Sequence, residues 1–129
     1  MNPIIRTHFD SVKARLTLSR AIISYRILRR EVATSDGKLR IKAALRDGGV
    51  AEFFEYVAQS GEQITLLKYS FDWRDVSGKL RQRWDNAPHD LDLPHAPHHV
   101  HEANHTVRGV SNVPDLLSVI DEIEKALIS

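Results

Sequence analysis

From residue 21 to residue 84, apolar and polar side chains alternate in runs, and a short turn signal closes each run. A period of two places successive side chains on opposite faces of an extended chain, so this region reads as half-buried strands rather than helix. The clearest run is "LRIKAALRD", in which Leu39, Ile41, Ala43 and Leu45 face one way while Arg40, Lys42 and Arg46 face the other. Before it, "AIISYRILRREVA" sets Ile23, Tyr25 and Ile27 against Ser24, Arg26 and Leu28. After it come "VAEFFEYVAQ", "QITLLKYSFDW" and the shorter "KLRQRW". The turn signals are Asp36-Gly37, Asp47-Gly48-Gly49, Ser60-Gly61 and Ser77-Gly78. At Asp36-Gly37 the glycine is expected to supply a positive φ. Turns at such regular spacing predict five consecutive antiparallel strands.

Helical periodicity flanks the strands. Ile5, Phe9, Val12 and Leu16 mark one apolar stripe over about Pro3 to Leu18, and Leu116, Val119, Ile120, Ile123 and Leu127 mark another near the end. Pro114 and Asp115 suit the start of that second helix, with Asn112 as its cap. The predicted fold class is α+β. It has a five-stranded antiparallel meander, N-terminal and C-terminal helices packed on one face, and a long His/Pro-rich loop from Asp85 to about Ser111. The meander's other face, with Arg26, Arg40, Lys42 and Lys68, is left to solvent or ligand. Residues 1–129 are expected to form one domain, long enough to bury roughly two thirds of the unfolded chain's surface.

Charge is distributed unevenly beneath a net value of +1. Residues 11–46 carry ten Lys or Arg against Glu31 and Asp36, whereas residues 85–129 carry eight Asp or Glu against Arg108 and Lys125. A basic half can attract phosphates, and an acidic half can close over it or meet a basic partner. There is no cysteine, which excludes disulfides, thiolate metal sites and a cysteine nucleophile. No apolar stretch approaches the length of a membrane span and no signal-peptide core is visible, so a cytoplasmic protein without membrane contact is expected.

Six of the seven histidines fall between His89 and His105. Imidazole titrates near pH 6.5, so the cluster suits either metal ligation or proton transfer. Its spacings match no standard zinc motif. On an extended segment His98 and His99 point to opposite sides and cannot share one ion, while His99 and His101 can. Pro88, Pro94 and Pro97 stiffen the segment. Tyr69, Trp73 and Trp84 are read as core rather than base-stacking residues, and His8 and His105 as solvated surface residues.

"KYSFDWRDVSGKLRQRWDNAPH", beginning at Lys68, and the later "LPHAPHHVH" resemble the TumE-like family. These are small proteins regarded as the toxin half of toxin–antitoxin pairs. The matching elements are Lys68-Tyr69-Ser70, Trp73, the run from Arg83 to His89, and Pro97-His98-His99-Val100-His101. Asp90 departs from the pattern, since family members often have a second histidine there. The resemblance implies a cytoplasmic toxin with a cognate antitoxin, often of helix-turn-helix type.

Combined with the residue chemistry, the expectation is a metal-independent endoribonuclease. His98, His99 and His101 would supply acid and base, with His89 in support. Asp85 would orient a histidine, and Arg83 and Lys68, with Arg40 and Lys42, would hold the RNA phosphates. No cofactor is required on this reading. A divalent metal at the histidine cluster, adventitious or functional, is the alternative, as is a non-catalytic module that binds nucleic acid or antitoxin. RNA and antitoxin are the expected partners, with homodimerisation left open.

Overall fold

Asn2 opens the first helix: its Oδ1 accepts hydrogen bonds from the Ile4 and Ile5 amides, both at 3.0 Å, satisfying donors that have no partner within the helix. The computed structural model describes residues 2–86, 98–104, 106–109 and 114–128. His89, Pro88, Pro94, Pro97, His105 and Asn112 lie outside the described residues.

Helix α1 spans Pro3–Leu18 and buries Ile5, Phe9, Val12 and Leu16, the stripe expected from their spacing. Five strands follow: β1 (Ile22–Val32), β2 (Asp36–Leu45), β3 (Val50–Ser60), β4 (Gln63–Arg74) and β5 (Leu80–Asp85). Two more, β6 (His99–Glu102) and β7 (Val107–Gly109), precede helix α2 (Leu116–Ile128). Among the described residues these seven strands form one sheet in the order β1-β2-β3-β4-β5-β6-β7, each antiparallel to the next. The five-stranded meander is therefore extended by two strands. Part of what read as irregular loop is a hairpin, because pairing with β5 decides the backbone of a stretch that has few apolar residues.

Both helices contribute to one core on one face of the sheet, with Leu39, Ile41, Ala43, Phe53, Phe71, Trp84 and Val100 beneath them. Tyr69, Trp73 and Trp84 are buried, Tyr69 stacking on Phe71 at 5.2 Å between centroids. Arg15 joins the helices by bonding Glu124 at 2.9 Å, which holds that carboxyl below its ordinary range. Asp115 caps α2, its Oδ1 accepting from the Ser118 amide at 2.8 Å. Ser118 Oγ accepts from the Asp115 amide in return, at 3.2 Å.

Three local readings change. A bulge between Ile22 and Ser24 turns Ile22 inward, opposite Leu45, and leaves Ile23 70% exposed rather than in line with Tyr25 and Ile27. Gly37 is not a turn residue. It lies within β2, between Val32 and Val57, while the Ala33 amide closes the turn onto Asp36 at 2.8 Å. A β-carbon there would stand 2.8 Å from Ile5 Cγ2 and 2.9 Å from the Glu31 carbonyl, so glycine is present to let α1 cross the sheet closely. By contrast Gly48, at φ 90°, does have the turn geometry expected of it.

His8 is the third change. Its side chain is 33% exposed rather than fully solvated, and it sits with Nε2 2.7 Å from Oε1 of Glu55, itself 2% exposed. Glu55 occupies an inward position of β3, opposite Leu39 and Tyr69, where the alternation otherwise places Phe53 and Val57.

Candidate functional site

The face of the sheet away from the two described helices is set by the same period of two. Opposite the core, β2 presents Arg40 and Lys42, β3 Glu52, β4 Ser70, Asp72 and Arg74, and β5 Arg83 and Asp85. The β5–β6 register pairs Asp85 with His99 and Arg83 with His101. Four ionisable side chains from two adjacent strands thus share one face.

Asp85 is their centre. Its Oδ1 lies 2.8 Å from His99 Nε2, and its Oδ2 lies 3.5 Å from His101 Nε2 and 3.4 Å from Arg83 Nε. The imidazole centroids of His99 and His101 are 4.9 Å apart with the rings edge to face. Burial grades across the cluster. His99 and Asp85 are 1% and 6% exposed, while the His101 and Arg83 side chains expose 16% and 35%. A carboxylate this deep holds its partners in place with little competition from water. His101 and Arg83 are the members a ligand can touch.

Asn86 anchors the end of β5. Its Oδ1 accepts from the Tyr69 amide at 3.0 Å and its Nδ2 donates to the Leu67 carbonyl at 3.0 Å, extending the β4–β5 ladder by one side chain. Asp85 is therefore the last residue of a firmly held strand rather than part of a loose turn.

A groove of about 380 Å³ runs from Arg83 across the same face. Arg40, Lys42, Arg74 and Arg83 line it with Glu52 and Asp72, so cations outnumber carboxylates. Arg40 bonds Glu52 at 2.9 Å and lies 4.5 Å over the Phe54 ring, and Arg74 bonds Asp72 at 2.8 Å. Arg83 Nη1 is 3.9 Å from Asp72 Oδ2, so this guanidinium links the groove to the histidine cluster.

The residues expected to act together divide accordingly. The structure brings Asp85, His99, His101 and Arg83 together, with Arg40 and Lys42 along the adjoining groove. His98 is turned elsewhere, its Nδ1 3.0 Å from the Tyr69 hydroxyl and its ring stacked on the Tyr69 ring. Burial, and secondarily Asp85, push the Tyr69 hydroxyl well above its ordinary pKa, so it stays protonated beside His98. Lys68 is exposed opposite Tyr56, one outward position before Ser70, and does not line the groove. His89 lies outside the described residues. Asp72 and Arg74 were not singled out beforehand, although the alternation through "FDWR" places both outward.

Among the described residues the chain is a seven-stranded α+β meander with a carboxylate–imidazole–guanidinium cluster on the face away from its helices. The profile of the family described as Toxin TumE matches residues 12–128, and the chain belongs to that family. No curated protein and no solved structure matches the chain. Membership of a toxin family implies a cognate antitoxin. No described helix is long and apolar enough to cross a membrane.

Proposed function

We propose that this protein is the toxin of a toxin–antitoxin pair and acts as a metal-independent endoribonuclease at the Asp85 cluster. One observation carries the reading. A single buried carboxylate holds two imidazoles and a guanidinium where a cation-lined groove meets them. Such a site has a proton-transfer group, a group that fixes it and a phosphate clamp, all on one rigid sheet face.

In this scheme RNA lies along the groove with its phosphates on Lys42, Arg40 and Arg74. Arg83 holds the scissile phosphate. His101, the accessible imidazole, takes the proton from the ribose 2′-hydroxyl as that oxygen attacks phosphorus. Asp85 stabilises the imidazolium that results, and His99 packs behind both as a positioning residue. The nucleophile belongs to the substrate, so the chain needs neither cysteine nor an activated serine. His98, in contact with Tyr69, takes no part in the chemistry of this scheme. As the 2′-oxygen bonds phosphorus the P–O5′ bond breaks, and the leaving oxygen takes its proton from His89, a role assigned from the sequence, while Lys68 serves the flanking backbone.

Neutralisation by a helix-turn-helix antitoxin belongs to the same reading. Strand β1 is the sheet's first strand and shows Ile23 and Leu28 beside Arg26 and Arg29, which suits an extended acidic segment added alongside it.

Purified protein in EDTA should cleave RNA and leave 2′,3′-cyclic phosphate ends. His101→Ala and Asp85→Asn should each lose about 10²–10⁴-fold in rate while remaining folded. A wild type that cleaves nothing, or only with added divalent ion, overturns the scheme. RNA binding that survives both substitutions with no cleavage would make the protein a binding module instead.

A further inference from the structure

The Asp85 cluster has a second property that the ribonuclease reading does not use. One ligand atom each from Asp85, His99 and His101 falls within 4.8 Å of the other two. Around tetrahedral zinc, with bonds of about 2.0–2.1 Å, neighbouring ligand atoms stand roughly 3.3–3.5 Å apart. His99 Nε2 lies 2.8 Å from Asp85 Oδ1 and His101 Nε2 lies 3.5 Å from Asp85 Oδ2, so each imidazole nitrogen stands near that spacing from a different oxygen of the one carboxylate. Small ring rotations would bring the set onto one centre. We propose that Asp85, His99 and His101 bind one divalent transition-metal ion, with zinc the preferred species.

The donor chemistry selects the ion. Two imidazoles and a carboxylate suit zinc, cobalt or nickel, whereas magnesium demands mostly oxygen ligands and retains its water. Asp85 and His99 are already withdrawn from solvent in the folded protein, so binding an ion strips little further water from them. All three ligands sit on the paired strands β5 and β6, which keeps the site formed before the ion arrives.

Arg83 opposes the ion electrostatically, since its Nε lies 3.4 Å from Asp85 Oδ2. Asp72, 3.9 Å from Arg83 Nη1, gives the guanidinium another anion to turn towards. Three protein ligands leave a fourth position for water or a phosphate oxygen.

Occupancy would also use the His101 nitrogen that the proposed proton transfer requires. Zinc is therefore a reversible inhibitor of the toxin, a consequence that rests on the ribonuclease reading while the site itself does not.

The test is calorimetric titration of zinc chloride into chelator-treated full-length protein, with cobalt(II) absorption reporting the ligand geometry. One equivalent should bind. His101→Ala and Asp85→Asn should each weaken binding by more than about a hundredfold, beyond what loss of an outer partner costs. His98→Ala should bind as the wild type does, and melting curves in chelator check that every variant is folded. No binding by the wild type, equal affinity in His101→Ala, or loss of binding in His98→Ala would overturn the site.

RNA cleavage separates the two proposals. Inhibition by one equivalent of zinc, reversed by chelator, supports both. Cleavage that requires zinc upholds the site and overturns the metal-free scheme. If RNA is never cut, the titration still decides the site, and only the ribonuclease reading and the inhibition fall.

Discussion

The carboxylate of Glu55 meets His8 across the interface between α1 and the sheet, Oε1 to Nε2 at 2.7 Å. The hydrogen bond to Glu55 raises the His8 pKa above its ordinary 6.5 against the opposing effect of burial, and the charges of Glu55 and Asp115 add to the rise. A group whose folded pKa is raised contributes stability that is complete below its unfolded pKa and fades as pH climbs through the folded value. His8→Ala should cost about 1–3 kcal/mol at pH 5.5, because it strips a buried acceptor of its partner. The difference should shrink by pH 9. Urea midpoints of both proteins at the two pH values check this, and a penalty that grows with pH would contradict it.

Gly37→Ala should be destabilising although the backbone there is ordinary strand. The added methyl meets Ile5 Cγ2 and Phe9 Cε2 in α1 and the Glu31 carbonyl in β1. Overpacking of this kind costs about 1–3 kcal/mol, readable as a lower melting temperature. An unchanged melting temperature would mean that α1 lifts from the sheet without cost.

Arg83 contacts Asp72 and Asp85 at once, and in the proposed scheme also the reacting phosphate. Arg83→Ala should lower single-turnover RNA cleavage by about 10²–10³-fold, as loss of a transition-state donor does. Arg83→Lys should recover only part of that, since an ammonium lacks the planar fork that spans two partners. Full recovery by lysine would show that charge alone is required.

The groove's role can be read from salt. For single-stranded RNA, each phosphate contact adds about 0.7 to the slope of log affinity against log salt. Lys42→Ala should therefore flatten the slope by about that amount while weakening binding. His101→Ala, measured at pH 8, should leave the slope unchanged and lose cleavage. If both variants behaved alike, groove and cluster would not be separate parts.

Both helices and the first five strands were legible because their faces differ in polarity, the signal that periodicity reports. Strands β6 and β7 were not. His99-Val100-His101 does alternate, but its outward members are polar residues that face one another and Asp85 rather than water. A polar residue in a strand is ordinarily counted as exposed, so the run resembled loop. The pairing of His99 with His101 on one side was visible from the period of two. Their convergence on Asp85 needed the β5–β6 register, which no local pattern encodes.

His8 and Glu55 were missed for a related reason, although a signal existed. His8 stands three residues after Ile5 and four before Val12, within the apolar stripe of α1, and Glu55 interrupts the inward series of Phe53 and Val57. Two polar residues, each at an apolar position of its own element, are candidates to satisfy one another.

The sheet is laid down in chain order, each strand beside the one before it. Arginines and lysines of the groove come from the first five strands, but the two imidazoles arrive only with β6. During synthesis the cation-lined surface of the groove therefore emerges before the two imidazoles, and helix α2, which completes the core, emerges after both. A chain that stops before residue 101 lacks an imidazole that the proposed reaction requires, so on that reading activity waits for the last part of the sheet and the closing helix.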